Sequence, residues 1–420
     1  MPKDDQRRDV LRMTRAATLR QCVILAPRLG AVEGPAPGGL DLPPILPAVH
    51  GKPFLGLLMR ELQRFGVADF VVCAPKADAV TLDEVTRVAD LLPKLATLRF
   101  AAPEALARGE GLEPRFLVAD ADCLFDTNLA ALLRDFAADP DPVPARALLR
   151  PEAGGPLCLD HVVTRQAVAA DADGDRLAHG GILAMDRSAL GLLPAGPGGA
   201  GSPSLGDWAV HLAQRGALAG TIGHGFFVDI SAPGGLAFAA RELPSVLQRP
   251  ALIVDRDGVL NHDHGYVGDR KRFDWVDGAL DALRLAADHG WHVFMVTNQS
   301  GVARGLYTED DVRSLLAWVC DEARRHGGTI DDWRYCPTHP EAPLPAYRRE
   351  DTWRKPGPGM ILHIMDDWDL ALDHCMMVGD QDTDMQAARA AGIRGVLFPG
   401  GNLLEFLRDI VATERVKVTA

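Results

Sequence analysis

The sequence contains no closely paired cysteines. It has 420 residues and seven cysteines, and no two of these form a C-x-x-C pair. Scattered cysteines are typical of free thiols in a reducing compartment rather than of a disulfide framework. No apolar run reaches the roughly 20 residues needed to span a bilayer, and the first twenty residues are charged, unlike a signal peptide. We therefore expect a cytoplasmic protein.

Positive charge is also scarce. The chain carries 57 acidic and 44 basic residues, which gives a formal net charge of -13, and it has no long basic run. Such a protein repels nucleic acids and anionic lipid surfaces. The expected ligands are small polar or phosphorylated molecules, with neither nucleic acid nor membrane as a partner.

Apolar strand-like runs alternate with amphipathic stretches along the whole chain. This pattern predicts an α/β protein with mainly parallel sheets, and the length favours two domains. A helix-like run over 235–247 ends just before the apolar segment Leu252-Ile253-Val254. We place the boundary between them, which gives domains 1–248 and 249–420. A Gly/Pro-rich patch over 194–203 is typical of a surface loop.

The C-terminal half has the pattern of a doubly wound sheet. A helix is predicted from about Leu280 to a Gly290 cap, and another from an Asp382 N-cap to Gly392. Four strands are predicted, at 252–254, 293–296, 375–378 and 396–398. Polar residues follow three of these strands, where open parallel sheets place their ligands.

Two carboxylates follow the first of these strands. Asp255 and Asp257 are two residues apart, so extended backbone directs both side chains to one side. One carboxylate can attack phosphorus, while the other protonates the departing alkoxide and later deprotonates water. Gly258 lets the backbone turn closely around a phosphate. Taken alone, the segment is equally compatible with a simple turn or an adventitious metal site.

Further polar residues stand after later strands in a fixed order. Thr297 and the loop after it supply a hydroxyl and backbone N–H groups for phosphate oxygens. Lys355 supplies a fixed positive charge, and Asp380, in the segment Gly379-Asp380-x-x-x-Asp384, offers a carboxylate suited to Mg²⁺. Singly, each of these could be a solvated surface residue. Their order on successive strand ends favours a phosphatase site.

Together these segments resemble the four ordered motifs of the haloacid-dehalogenase (HAD) superfamily. The resemblance covers about 251–408. It implies that Asp255 is the nucleophile, Asp257 the general acid/base, and Thr297 and Lys355 phosphate ligands. It also implies Mg²⁺ held by Asp255, Asp380 and the main-chain carbonyl of Asp257.

A closer resemblance is carried by the segments NHDHGYV (261–267), TNQSGVARG (297–305), CPTHP (336–340) and RKP (354–356). These resemble the D-glycero-D-manno-heptose 1,7-bisphosphate 7-phosphatases, which implies that Asn298, Arg304 and Arg354 contact substrate. Planar guanidinium groups suit a second phosphate. A histidinol-phosphate phosphatase is the alternative within the same superfamily, and a non-catalytic scaffold is the alternative from another class.

The sequence departs from this family at two places. Members commonly bind a structural Zn²⁺ through Cys-x-His and Cys-x-Cys pairs. Here Cys336 stands alone, because Thr338, Asp351 and Trp353 occupy the other three positions and His339 is out of register. Since structural zinc needs four N or S donors, we expect no zinc. The second departure is Gln381, where the family often has a lysine.

The N-terminal half resembles sugar-1-phosphate nucleotidylyltransferases over about 21–243. The resemblance lies in QCVILA (21–26), FLVADADCLF (116–125) and GFFVDI (225–230), and it implies a Rossmann-like mixed sheet with Asp122 and Asp229 as possible metal ligands. The phosphate-binding loop is altered to PRLGAV (27–32), and Pro43 replaces a lysine. Proline lacks a backbone N–H.

Two hypotheses follow for this half. Either it is a nucleotidylyltransferase with altered phosphate contacts, or it is a non-catalytic module that binds sugar phosphate or mediates homo-oligomer assembly; we favour the second. This half resembles the nucleotidylyltransferase that would act on heptose 1-phosphate. That resemblance favours the α-anomer of the bisphosphate, as an analogy from the fused domain and not from the chemistry of the site.

Overall fold

The computed structural model describes residues 19–26, 48–49, 52–74, 85, 88, 92, 96–139, 142–151, 177–193, 205–223 and 225–413. The chain divides into two compact units, Met1–Pro244 and Ser245–Ala420. The predicted boundary after residue 248 stays a prediction, since the helix Gly235–Leu247 runs across this division. The segments 27–32, Pro43 and 194–203, on which predictions were made, lie outside the described residues.

The N-terminal unit is built on a mixed sheet. Its described strands are β1 (Gln21–Leu25), β2 (Ala48–Val49), β3 (Lys52–Pro53), β4 (Asp69–Cys73), β5 (Thr97–Ala101), β6 (Arg115–Asp120), β7 (Cys123–Phe125), β8 (Ala145–Pro151), β9 (Leu177–Asp186), β10 (Leu218–Ile222) and β11 (Phe227–Asp229). Seven of them form one sheet in the order β10-β8-β9-β6-β1-β4-β5. Only β9 in this sheet runs antiparallel to its neighbours. The predicted mixed sheet is confirmed.

Five α-helices are described along the same part of the chain. They are α1 (Phe54–Arg64), α2 (Pro103–Ala107), α3 (Ala130–Ala138), α4 (Leu205–Gln214) and α5 (Gly235–Leu247). Trp208 and Leu212 of α4 pack with Phe116, Val118 and Leu183 of the central strands in one buried cluster. The short ribbon of β7 and β11 pairs Cys123 with Asp229, which brings the end of β6 near the end of β11.

The C-terminal unit contains a fully parallel five-stranded sheet. Its strands are β12 (Ala251–Val254), β13 (His292–Asn298), β14 (Asp332–Cys336), β15 (Met376–Gly379) and β16 (Arg394–Leu397), in the order β14-β13-β12-β15-β16. Its helices are α6 (Ala279–Asp288), α7 (Glu309–Arg325), α8 (Gly359–Asp367), α9 (Asp382–Ala390) and α10 (Leu403–Thr413). The predicted doubly wound parallel sheet is confirmed.

Strand β12 shows why these strands are continuously apolar. Leu252 and Val254 belong to one buried cluster, and Ala251 and Ile253 belong to another. Successive strand residues point to opposite faces of a sheet, so both faces of this sheet are covered. A strand buried on both sides needs an unbroken apolar run.

The helix ends follow the local chemistry. Helix α6 ends before Gly290, whose φ of 77° is the left-handed conformation expected at a helix C-terminus. The predicted Asp382 N-cap is wrong by one residue: Asp382 is the first helical residue and Gln381 is the N-cap. The backbone N–H of Gln381 donates to Asp384 Oδ2 at 3.1 Å. None of the described helices is long and apolar enough to cross a membrane.

Candidate active site

The predicted phosphatase residues lie at one edge of the parallel sheet. Asp255 directly follows β12, Thr297 is the second-last residue of β13, and Asp380 directly follows β15. These strands are neighbours, so their carboxyl ends meet at the same edge. Lys355 reaches this edge from the loop before α8.

Lys355 links two carboxylates. Its Nζ lies 2.8 Å from Asp255 Oδ1 and 2.6 Å from Asp384 Oδ1. Asp255 Oδ1 also accepts from the backbone N–H of Arg256 at 2.7 Å. Lys355 is 3% exposed and Asp384 is 1% exposed. A buried ammonium is retained only when it is paired, so this triad fixes the position of the predicted nucleophile.

The burial of this triad perturbs its charges. Burial raises the pKa of Asp255 to about 7, although the nearby Lys355 ammonium lowers it. Burial lowers the pKa of Lys355, but the charges of Asp255 and Asp384 outweigh that effect and raise it overall. Lys355 is therefore a permanent cation here. Because two carboxylates share it, the triad carries excess negative charge whenever both Asp255 and Asp384 are ionised.

Asp380 completes a group of carboxylates that could hold a cation. Oxygens of Asp255, Asp380 and Asp384 all lie within 4.8 Å of one another. Asp380 Oδ1 is buried without a hydrogen-bond donor, and burial raises the pKa of this carboxyl. An orphaned buried carboxylate oxygen beside two others fits a hard divalent cation such as Mg²⁺.

Gly258 permits this arrangement. Its φ is 88°, and an added Cβ would collide with the Asp380 carboxylate. Only glycine gives the backbone both this conformation and this close approach. The loop after β12 can therefore lie directly against the loop after β15.

The predicted acid/base Asp257 is held by three side chains. Arg256 Nη2 donates to both of its oxygens at 2.7 Å. Asn261 Nδ2 donates to Oδ1 at 3.0 Å, and Gln299 Nε2 donates to Oδ2 at 2.9 Å. Arg256 is fully buried and also donates to the carbonyl of Val267 at 2.8 Å. Asp257 thus has a defined orientation, with part of its surface exposed.

Thr297 and Asn298 end strand β13 with different roles in the packing. Thr297 is 1% exposed, and its Oγ1 accepts from Gln299 Nε2 at 2.8 Å. The Asn298 amide makes hydrogen bonds to both backbone groups of Lys355. Asn298 was predicted to contact substrate; the contacts it makes here fix the position of Lys355.

A second cationic group lies near these residues. The Arg304 guanidinium stands 5.5 Å from the centre of the Tyr266 ring. Burial lowers the pKa of Arg354, and the nearby charge of Arg304 acts in the same direction. Burial and both arginines also lower the pKa of His339. The structure thus brings the two predicted arginines together.

The positions that correspond to the family's zinc ligands contact one another directly. Cys336 Sγ lies 3.1 Å from Thr338 Oγ1, which donates to Asp351 Oδ2 at 3.1 Å. Asp351 Oδ1 accepts from the backbone N–H of Trp353 at 3.0 Å. This hydrogen-bonded chain closes the loop just before Arg354. The predicted lack of structural zinc stays a prediction.

In the N-terminal unit, the predicted pair Asp122 and Asp229 lies near a third carboxylate. The backbone of Ile230 donates to the Asp122 carbonyl at 2.9 Å. Burial raises the pKa of Asp120 to about 7, and the charges of Asp122 and Asp229 add to this. Whether Asp122 and Asp229 bind metal stays a prediction.

Several site residues were not assigned from the sequence. Asp384 was quoted in the motif without a role, because its spacing of four from Asp380 places it near the same sheet edge but does not identify Lys355 as its partner. Asp120 could have been found from its spacing of two from Asp122. The remaining residues, Arg256, Asn261, Gln299 and Tyr307, act through side-chain contacts that spacing does not encode.

Similar proteins identify the C-terminal unit. A family profile described as HAD-hydrolase-like matches residues 352–406. The D-glycero-beta-D-manno-heptose-1,7-bisphosphate 7-phosphatase of Rhodopseudomonas palustris is 46% identical over 167 residues, which are 40% of this chain and 93% of that protein. This chain belongs to the HAD-like phosphatases. As a member, it is a phosphoric monoester hydrolase.

Other relatives of this HAD-like phosphatase carry related names. The D-glycero-alpha-D-manno-heptose-1,7-bisphosphate 7-phosphatase of Burkholderia mallei is 42% identical over 35% of this chain and 78% of its own length. A crystal structure of D,D-heptose 1,7-bisphosphate phosphatase from B. bronchiseptica, complexed with magnesium and phosphate, is 32% identical. It covers 38% of this chain and 86% of that chain, with a TM-score of 0.33.

The N-terminal unit of this HAD-like phosphatase is similar to nucleotidyltransferases. The inositol-1-phosphate CTP transferase from T. maritima is 16% identical and covers 54% of this chain and 98% of that chain, with a TM-score of 0.39. The activity of the first unit is a separate question.

Proposed function

We propose that the C-terminal unit removes the 7-phosphate of D-glycero-D-manno-heptose 1,7-bisphosphate through an aspartyl-phosphate intermediate. The observation that carries this proposal is the buried triad of Asp255, Lys355 and Asp384 at the sheet edge, with Asp257 held beside it. The names of the relatives from two bacteria supply the substrate.

The residues divide the reaction between them. The Asp255 carboxylate attacks phosphorus, and the bond between phosphorus and the 7-oxygen breaks. Asp257 gives its proton to the departing alkoxide, then takes a proton from the water that attacks the aspartyl-phosphate. Lys355 and the Thr297 hydroxyl hold the phosphate oxygens throughout. Inorganic phosphate leaves, and Asp255 is regenerated.

A divalent cation fits the same site. Asp255 and Asp380 would hold Mg²⁺, together with the main-chain carbonyl of Asp257, and the orphaned Asp380 Oδ1 is the group that most needs it. Bound there, Mg²⁺ supplies positive charge that offsets the charge on the phosphate. No zinc is part of this proposal.

The second phosphate of the substrate is assigned to the arginine pair. Arg304 lies close enough to Arg354 for its charge to help lower the pKa of the Arg354 guanidinium, and two guanidinium groups can bind one phosphate bidentately. This favours a bisphosphate over histidinol phosphate, which has only one. The α-anomer stays our proposal because of the N-terminal unit, although the relatives carry both anomers in their names.

A substrate panel tests this function. Phosphate release is measured with Mg²⁺ and the α-bisphosphate, the β-bisphosphate or histidinol phosphate. We expect the highest kcat/KM for the α-bisphosphate. Arg354→Ala should raise KM for the bisphosphates and leave kcat for histidinol phosphate unchanged. A clear preference for histidinol phosphate would refute the proposed substrate.

The nucleophile is tested separately. Asp255→Asn should abolish Mg²⁺-dependent phosphate release while circular dichroism shows an intact fold. The matched control is Asp321→Asn, which changes a carboxylate paired with Arg324 on a helix surface and should retain full activity. Near-normal turnover by Asp255→Asn would show that another residue attacks phosphorus.

For the N-terminal unit we propose a non-catalytic role in binding sugar phosphate or in assembly. A nucleotidylyltransferase activity is the second candidate, because Asp122 and Asp229 lie close enough for their charges to reach Asp120. Incubation with heptose 1-phosphate and each nucleoside triphosphate distinguishes the two. Pyrophosphate release that Asp122→Asn abolishes would establish a bifunctional enzyme.

The free thiols of the six described cysteines suit the cytoplasmic location that we propose.

A further inference from the structure

Tyr307 contacts the site without facing the reacting groups. Its hydroxyl donates to Gln299 Oε1 at 2.7 Å. The amide of Gln299 in turn donates to Asp257 Oδ2 at 2.9 Å and to Thr297 Oγ1 at 2.8 Å. A continuous chain of hydrogen bonds therefore runs from Tyr307 to Asp257.

The direction of each proton in this chain follows from chemistry. Whether Asp257 is ionised or carries its proton on Oδ1, its Oδ2 only accepts hydrogen bonds, so Gln299 must present its NH₂ group to that oxygen. Its carbonyl oxygen then faces Tyr307, and only a hydroxyl that donates can pair with it. The backbone of Gly301 hydrogen-bonds the phenol oxygen, which leaves the hydroxyl proton for Gln299.

We propose that Tyr307 is a positioning residue that orients the Gln299 amide, and through it the carboxylate of Asp257, for proton transfer to the leaving group. This inference rests on the proposed function, in which Asp257 is the general acid. Without the hydroxyl, the Gln299 amide can rotate, and Asp257 loses one of the donors that hold it.

The surroundings of Tyr307 suit this role. The ring fits against two glycines: a Cβ at Gly268 or at Gly301 would collide with it. Burial raises the pKa of the Tyr307 hydroxyl to about 12, so this group stays protonated wherever the enzyme works. A donor whose ring lies against two glycines and whose hydroxyl is always protonated can hold an amide in one orientation.

The test uses the leaving group. Alkyl phosphates need a general acid because an alkoxide is a poor leaving group, whereas 4-nitrophenolate leaves with little help. Tyr307→Phe should lower kcat/KM, which reports the transfer of phosphate to Asp255 and not the later hydrolysis, about five- to tenfold for the sugar bisphosphate, the usual effect of one hydrogen bond, and less than about twofold for 4-nitrophenyl phosphate. Asp257→Asn should show the same selectivity, with a loss of about 10²- to 10⁴-fold on the bisphosphate.

Two further variants identify the route. If Tyr307 acts through Gln299, then Tyr307→Phe should cost less than about twofold in a Gln299→Met background, since coupled residues are not additive. Gln299→Glu, which replaces the donor by an acceptor, should reproduce the selective loss without altering Tyr307. The matched control is Tyr347→Phe, whose hydroxyl donates to Glu309 at 2.9 Å; its kcat should be unchanged.

The results distinguish a failure of the positioning role of Tyr307 from a failure of the acid role of Asp257. Equal losses by Tyr307→Phe on both substrates, or an undiminished loss in the Gln299→Met background, would overturn the positioning role while Asp257 keeps its own. If Asp257→Asn retains activity on the bisphosphate, the acid role itself fails, and the role of Tyr307 fails with it.

Discussion

The side-chain amide of Asn298 hydrogen-bonds to both main-chain polar groups of Lys355. Its Nδ2 donates to the Lys355 carbonyl at 3.1 Å, and its Oδ1 accepts from the Lys355 N–H at 3.1 Å. An amide that pairs with both the N–H and the C=O of one residue makes the same two hydrogen bonds as the facing residue of a hydrogen-bonded antiparallel β-pair. It ties the loop before α8 to the end of β13, and so it sets where the buried ammonium stands.

Loss of the two hydrogen bonds between Asn298 and Lys355 should weaken catalysis. Asn298→Ala removes two hydrogen bonds of about 1 kcal/mol each and frees the Lys355 backbone to move. We expect kcat/KM to fall by roughly 10- to 100-fold, because displacement of a charged group by about 1 Å can cost that much. The control is Asn402→Ala, which removes only a helix-capping contact to Glu405 and should lower the melting temperature but not kcat.

Gly258 should tolerate no side chain. Gly258→Ala adds a methyl group against the Asp380 carboxylate in a left-handed conformation. We expect the Mg²⁺ concentration for half-maximal activity to rise and kcat to fall by about 100-fold. Gly290→Ala has a similar φ of 77° with open space around it. Gly290→Ala should lose about 1 kcal/mol of stability and keep the wild-type dependence of activity on Mg²⁺ concentration. Equal behaviour of the two variants would count against a metal site at Asp380.

The stability of the N-terminal unit should depend on Asp120. Its pKa is raised to about 7 by burial, and Asp122 and Asp229 add to this. The folded state therefore binds the proton more tightly than the unfolded state. The stability from protonation is complete below pH of about 4 and is lost as pH rises through 7.

Thermal unfolding in EDTA between pH 5 and 8 measures this effect. The unfolding temperature of the N-terminal unit should fall as pH rises. Asp120→Asn should remove most of this dependence of unfolding temperature on pH. An unchanged slope in Asp120→Asn would assign the pH dependence to other groups.

Asp351 should stabilise the loop that carries Arg354. Asp351→Ala leaves the buried Thr338 hydroxyl and the Trp353 N–H without their acceptor. We expect a loss of about 1–3 kcal/mol in unfolding free energy and a higher KM for the bisphosphate. The control Asp310→Ala breaks an exposed ion pair with Arg313 and should cost less than about 1 kcal/mol. If elemental analysis found one zinc per chain that Asp351→Ala lost, this loop would be a metal site instead.

Sequence reasoning predicted the frame of the C-terminal unit well. Strands that are buried on both faces can be recognised in the sequence as apolar runs, such as that of β12. The polar residues at the carboxyl ends of these strands, Asp255, Thr297 and Asp380, lie close together because the parallel strands are neighbours in the sheet. Glycines at helix ends, such as Gly290, follow from local backbone chemistry. These features depend on residues that are neighbours in sequence.

The remaining features depend on contacts between distant residues. That Asn298 faces Lys355, and that Gln299 faces both Asp257 and Tyr307, is decided by the curvature of a loop and the packing of rings. Spacing in the sequence carries no such information. The same holds for Asp384, whose partner Lys355 lies on another loop.

The shared ammonium has a consequence for the order of binding. In the part of the chain that the structure describes, Lys355 is the cation that pairs with Asp255 and Asp384, and oxygens of Asp255, Asp380 and Asp384 lie within 4.8 Å of one another. A phosphate that came first would meet net repulsion, whereas a divalent cation would be drawn in. We therefore expect steady-state kinetics of the ordered type, in which metal enters ahead of substrate and stays behind when phosphate departs.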